Sequence, residues 1–148
     1  MDILKEVIDA WGWVGIEPTE VIEENDFGNL ILKDTKGKLW RLCPEDVYCK
    51  VIANDIEKYN ELVKDDEFNE DWFMVSIVDE AQNRLGPLKD GYKYYLVIPG
   101  ILGGEYGGAN IQSVPFYEVI RYSGDIGRQA QGLPEGAKIN LKVINKNA

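Results

Sequence analysis

The segment "IPGILGGEYGGANI", residues 98–111, places Gly103, Gly104, Gly107 and Gly108 in two pairs around Glu105 and Tyr106, directly after the apolar run "YKYYLVI". A strand followed by a glycine-rich loop is how many proteins hold nucleotide phosphates. That chemistry needs more than glycine: in G-x4-G-K-[ST] the lysine reaches the phosphates and the hydroxyl holds magnesium. Gly103 and Gly108 have this spacing, but Ala109 and Asn110 stand where Lys and Ser/Thr belong. The G-x-G-x-x-G pattern is absent in every register, and no helical pattern starts straight after the glycines to aim its N-terminus at an anion. The loop is therefore expected to need glycine for positive φ or close backbone packing. Glu105 and Tyr106, held between the two pairs, form a candidate recognition tip.

Other residue types that carry chemistry are sparse or badly spaced. The chain has no histidine, which removes Ser-His-Asp and Cys-His nucleophile systems and histidine metal sites. Cys43 and Cys49 have no second pair, too few for a structural zinc site, and read as reduced thiols facing a core. Asp34-Thr35-Lys36 has the letters of a metal-dependent nuclease triplet but falls in an expected hairpin turn. Asp65-Asp66-Glu67 lacks the alternating ligands and glycine of a calcium loop. With 26 acidic residues, chance carboxylate pairs of the glycosidase kind are guaranteed, and none is singled out. These patterns point to no enzyme, no cofactor and no metal.

Charge narrows the partners. Sixteen basic residues against 26 acidic ones give a net charge of −10, with no basic run. Binding to nucleic acid or an anionic membrane rests on Lys and Arg, so neither is expected. An acidic surface suits a basic protein partner, because complementary fields speed encounter and enforce selectivity. The densest acidic run is Asp65, Asp66, Glu67, Glu70 and Asp71, with Trp72 beside it either as an aromatic anchor or as core. No stretch is long and apolar enough to span a bilayer, and the start lacks signal-peptide features, so a cytoplasmic protein is expected.

The 148 residues, 45% hydrophobic, suit a single domain over 1–148 with a sizeable core. Ile3, Leu4, Val7, Ile8 and Trp11 recur at helical spacing, predicting a helix over 2–11. "PTEVIEEN" reads as a second short helix started by Pro18. "FGNLILK" and "KLWRLC" read as strands joined at Gly37, and "VYCKVIA" as a third. Asn54 with Glu57 predicts an N-cap for a helix through Val63. Asn69 is expected to cap the next helix, whose buried stripe is Met74, Ile77, Val78, Ala81 and Leu85, stopped by Gly86-Pro87. "YKYYLVI" follows as the fourth strand. Phe116, Val119, Ile120, Ser123, Ile126 and Ala130 form a further helical face, in which Gly124 and Gly127 imply a break or close backbone packing. "KINLKVI" alternates cleanly as a last strand. The order implies an α+β fold, a mainly antiparallel sheet of about five strands packed with amphipathic helices.

"AWGWVGIEPTEVI", "NDFGNLILKDTKGKLWRLCPEDVYCKVIA", "LGPL", "IPGILGGEYGGANI" and "SGDIGRQ", in this order, resemble a bacterial family of small immunity domains. The family is best known as the C-terminal part of immunity proteins against DNase toxins delivered by type VI secretion. The resemblance runs from about Trp11 to Ile144 and rests on "FGN", "WR-C-PE" and "LGGEY…N". It implies a protein that binds a cognate toxin, basic and of the nuclease kind, and blocks it without catalysis. The motif residues themselves read as structural, with Arg41 paired to a nearby carboxylate. The partner-binding candidates are then Asp65, Asp66, Glu67, Glu70, Asp71, Glu105 and Tyr106. The other reading of the same features is a non-enzymatic protein- or ligand-binding module with a different partner.

Overall fold

The computed structural model describes residues 1–132; the strand expected at "KINLKVI" lies outside the described residues. Helix α1 (Ile3–Trp11) begins where Asp2 accepts a hydrogen bond from the Lys5 amide at 3.2 Å. Four strands follow, β1 (Pro18–Glu24), β2 (Leu30–Asp34), β3 (Leu39–Cys43) and β4 (Tyr48–Ala53), forming an antiparallel sheet in the order β1-β2-β3-β4. The helix expected at "PTEVIEEN" is thus an edge strand. Thr19, Val21 and Ile22 are β-branched, Pro18 opens the strand where its missing N–H costs no ladder bond, and pairing with β2 overrides the helical spacing. Register shifts between Pro18 and Glu20 and between Val21 and Glu23 accommodate the mismatch.

Leu30, Ile31 and Leu32 of β2 are all fully buried, because both faces of the sheet are covered. Leu30, Leu32 and Leu42 face a core shared with Val7, Trp11, Val119 and Ile120. Ile31 and Leu39 face the other way, against Tyr59 and Trp72. The second face is covered by α2 (Ile56–Leu62) and α3 (Asp66–Phe73). Their caps are Asp55, accepting from the Lys58 amide at 2.8 Å, and Asp65, accepting from the Phe68 amide at 3.0 Å. The predicted cap Asn54 is therefore displaced by its neighbour Asp55, and Asn69 lies inside α3, while the helix with the expected stripe starts after Met74 with no side-chain cap. The Asn69 side-chain Nδ2 instead donates to the Val63 carbonyl at 2.9 Å. The acidic run is itself helical. Met74, at φ 51°, separates α3 from α4 (Val75–Leu85).

The α4 stripe is as expected: Ala81 is buried, and Met74, Ile77, Val78 and Leu85 pack on a cluster with Phe27, Tyr94, Leu96 and Ile111. That cluster lies on a second antiparallel sheet of two strands, β5 (Tyr92–Leu96) and β6 (Ile111–Pro115). One sheet of about five strands was expected; six strands divided between two sheets are found among the described residues, within the α+β class. Strand β6 had no separate sequence signal, being a short continuation of the glycine loop.

Helix α5 (Phe116–Ala130) lies on α1, with Trp11 Nε1 donating to Ser123 Oγ at 3.3 Å and Arg121 gripping Glu6 through two bonds of 2.8 Å. Gly124 and Gly127 are buried in an unbroken helix, and the close-packing alternative holds. A Cβ on Gly124 would collide with the Ala10 carbonyl, and one on Gly127 would sit 2.9 Å from the Trp11 ring. No described helix is long and apolar enough to cross a membrane.

Candidate functional site

The site begins at a buried polar network made of motif residues. Asn29 of "FGN" is fully buried immediately before β2. Its Oδ1 accepts from Arg41 Nε at 3.1 Å and Nη2 at 2.9 Å, and its Nδ2 donates to both Glu45 oxygens at 3.0 and 2.8 Å. Arg41 also forms an ion pair with Asp71 of α3 and lies 5.3 Å from the Trp72 ring centre. Arg41 therefore has the carboxylate partner expected of it. Trp72 is buried beneath the guanidinium and belongs to the core, not to an exposed anchor. Burial pushes the Glu45 carboxyl above its usual range, against the opposing effect of hydrogen bonds from Cys43 and Asn29 and the charge of Arg41. Among the described residues no buried side-chain nitrogen or oxygen lacks a hydrogen-bond partner.

Above this network the turn after β3 meets the glycine loop. The Gly100 amide donates to the Glu45 carbonyl at 2.9 Å, and the Tyr106 hydroxyl donates to Asp46. Burial, that hydrogen bond and the surrounding carboxylates push the Tyr106 hydroxyl well above its ordinary pKa, so it remains a donor. The loop is braced by Asn110, whose Nδ2 donates to the carbonyls of Ile98 at 2.9 Å and Glu105 at 2.7 Å, while its Oδ1 accepts from the Ile98 amide at 2.8 Å. Gly103 has φ 86°, and a Cβ on Gly104 would strike the Ile98 carbonyl. Glycine is thus required for backbone geometry. The Gly108 amide, an obvious donor for a phosphate, is taken by Glu80 Oε1 at 3.0 Å.

These elements enclose an open cleft of about 450 Å³, lined by Glu45 and Asp46, by Glu70 and Asp71 of α3, by Met74, Ser76, Ile77 and Glu80 around α4, and by Tyr106. Two segments that were separate candidates in the sequence thus share one surface: Glu70 and Asp71 face Tyr106. Asp65, Asp66 and Glu67 are exposed at the start of α3, outside the cleft, where their charge complements the helix N-terminus. Glu105 is exposed beside Tyr106 and also outside the lining. Glu45, Asp46 and Glu80 were missed because they reach the cleft from a turn and a helix far apart in sequence, with no spacing to connect them.

The remaining chemical candidates are engaged locally. Burial alone would raise the Asp34 pKa, but donors from Trp40 Nε1 at 2.9 Å, the Lys38 amide at 2.8 Å and the Lys36 amide at 2.9 Å lower it. Both Asp34 oxygens therefore brace the β2–β3 turn. Cys43 and Cys49 are free buried thiols, and burial pushes Cys49 up to about 12. Ligand atoms of Cys43, Glu45 and Asp46 lie within 4.8 Å of one another. They are already held by one another, by Asn29 and by Tyr106, with the Arg41 cation close by.

Fold and site define a small acidic α+β domain whose surface carboxylates converge on a cleft. The family model described as the C-terminal domain of the T6SS immunity protein Tdi1 matches residues 53–127, just over half of the sequence, and the chain belongs to this family of type VI secretion immunity proteins. The matched span runs from the end of β4 into α5 and includes Asp65, Asp66, Glu67, Glu70, Asp71, Glu105 and Tyr106. Asn29, Arg41 and Glu45 lie before it. No curated protein matches the chain.

Proposed function

We propose that the protein neutralises a cognate nuclease toxin in the cytoplasm by occupying its basic substrate cleft, with no catalysis of its own. Membership of the immunity family implies a toxin partner. The observation that carries the finer reading is the convergence of four carboxylates, Asp46, Glu70, Asp71 and Glu80, above the buried Glu45 on a cleft rimmed by Tyr106. A nuclease must hold a polyanion, so its active-site rim is basic. Carboxylates presented together can stand where phosphates would lie, and the −10 net charge draws the two proteins together over distances beyond contact. Asp65, Asp66 and Glu67, exposed at the start of α3, add to that field, and Glu105 extends it beside Tyr106.

The test is binding kinetics with the toxin encoded beside this gene, in catalytically inactive form, at low and high salt. Fields between exposed charges are screened beyond ~8 Å at physiological ionic strength. Association is expected to slow as salt rises, while dissociation changes less. The charge-reversed variants Asp66→Lys/Glu67→Lys and Glu70→Lys/Glu80→Lys should associate more slowly, and addition of the wild-type protein at equal concentration should abolish DNA cleavage by the active toxin. Undiminished cleavage at saturating protein, or association rates indifferent to both reversals, would sink the proposal.

A further inference from the structure

A second depression lies on the other side of α3. It is a groove of about 770 Å³ between the end of β1 with the loop after it and the helices α2 and α3. Its floor is aromatic, with Tyr59 and Trp72 buried and Phe68 half-buried, and its mouth is apolar: Ile56, Val63 and Phe73 are 41%, 36% and 61% exposed. Along the β1 side stand Glu23, Glu24 and Asp26, Glu24 lying 3.9 Å from Lys93 Nζ, and among the described residues no lysine or arginine lines the groove. A domain in water does not gain by leaving three large apolar side chains clustered at the mouth of a groove. The chemistry that satisfies such a surface is apolar in the middle and cationic along one flank.

We propose that this groove receives an amphipathic helix of the toxin, its apolar stripe over Phe73, Val63 and Ile56 and its Lys or Arg residues against Glu23, Glu24 and Asp26. The inference rests on the toxin-binding reading and assigns a second contact surface to it. A helix can present that pattern on one face: anchors at i, i+3/i+4 and i+7 recur along ~10.5 Å, with charged residues free to line one flank. The two surfaces have different physics. The cleft, with its converging carboxylates, governs encounter; the groove, with Ile56, Val63 and Phe73 exposed at its mouth, governs how long the complex lasts.

The experiment uses the full chain and the inactive toxin encoded beside its gene. Phe73→Glu and Val63→Glu each place a charge in the apolar mouth, and Glu23→Lys reverses the flank. Each variant is first checked for an unchanged circular dichroism spectrum. The expected result is ~tenfold or greater loss of affinity for each apolar-to-Glu variant, carried by faster dissociation. Glu23→Lys should weaken binding less and in a salt-dependent way. Hydrogen exchange on the wild-type complex, which needs no substitution to fold, should slow in residues 22–26 and 56–63 relative to the free protein. If the wild-type protein forms no complex, the functional reading itself fails. If it forms one while the folded variants bind with unchanged dissociation rates, or while exchange in those segments is unaltered, the groove is not part of the interface and the functional reading stands.

Discussion

Replacing Asn29 with alanine is expected to destabilise the fold by about 3–5 kcal/mol. The side chain is fully buried and makes four hydrogen bonds, two accepted from the Arg41 guanidinium and two donated to Glu45. Alanine leaves two charged donors and a buried carboxyl group facing an empty space. A hydrogen bond to a charged group contributes about 1.5–3 kcal/mol, but four bonds sharing two groups do not add. Arg41 also keeps Asp71. The cost of disrupting a buried ionic network, a few kcal/mol, is therefore the better guide than the sum. With a urea m-value of ~2 kcal/mol/M, usual for a small protein, the unfolding midpoint should fall by about 1.5–2.5 M. In a double-mutant cycle with Glu45→Ala, the second substitution should cost less once its amide partner has gone, giving a coupling of ~1–3 kcal/mol. A midpoint shift under ~0.5 M at constant m, or a strictly additive cycle, would refute the idea that Asn29 ties β2 and β3 to the turn under the cleft.

Two further outcomes follow from local geometry. Asp34 has its pKa lowered in the folded state by three N–H donors that outweigh burial. Its contribution to stability is therefore present above the unfolded value of 3.8 and lost as pH falls through the lower folded value. Asp34→Asn should flatten the acid limb of the stability curve, measured by urea unfolding between neutral pH and pH 2, and should cost ~1–3 kcal/mol at neutral pH because the amide cannot accept from Trp40 Nε1 while serving both turn amides. Gly124→Ala gives a test of sign: helix propensity alone predicts a gain of ~1 kcal/mol, whereas collision with the Ala10 carbonyl predicts a net loss. A lower melting temperature supports close packing of α1 on α5, and a higher one refutes it.

What could be read from the sequence was what depends on local periodicity. The stripes of α4 and α5 are buried or half-buried as their spacing indicates, α1 buries Val7 and Trp11 while Ile8 stays exposed, and β2 to β4 form where strands are expected. What could not be read depended on competition between segments. Pro18–Glu24 carries a helix-like spacing, but its fate is decided by the free edge of β2. Asn54 lost its capping role to its neighbour Asp55, of equal capping ability, and Asn69 lies inside α3 because the single helix expected there is divided at Met74. The glycine loop was correctly read as a backbone device because a phosphate site leaves specific letters and these were missing. The cleft was only half legible. Glu70, Asp71 and Tyr106 had been picked out as belonging to two separate surfaces, and only the fold of α3 against the loop after β5 joins them. Glu80 reaches them from α4, whose buried stripe says nothing about where its outer face will point.

Asp71 holds two offices at once: it lines the cleft and it is the ion-pair partner of buried Arg41. Its neighbour Glu70 can be exchanged for other side chains with little consequence for the interior, and Glu80 at the cost of its bond to the Gly108 amide, so the contour presented to a partner is open to rewriting there. Asp71 is not free in this way. Any change there strips the buried Arg41 guanidinium of its carboxylate and leaves it Asn29, and any foreign cation that draws on Asp71 must share it with Arg41. In an arms race between a toxin and its antidote, this residue is where drift would stall. New specificities would have to be composed around it, from the outer carboxylates and the loop that carries Tyr106.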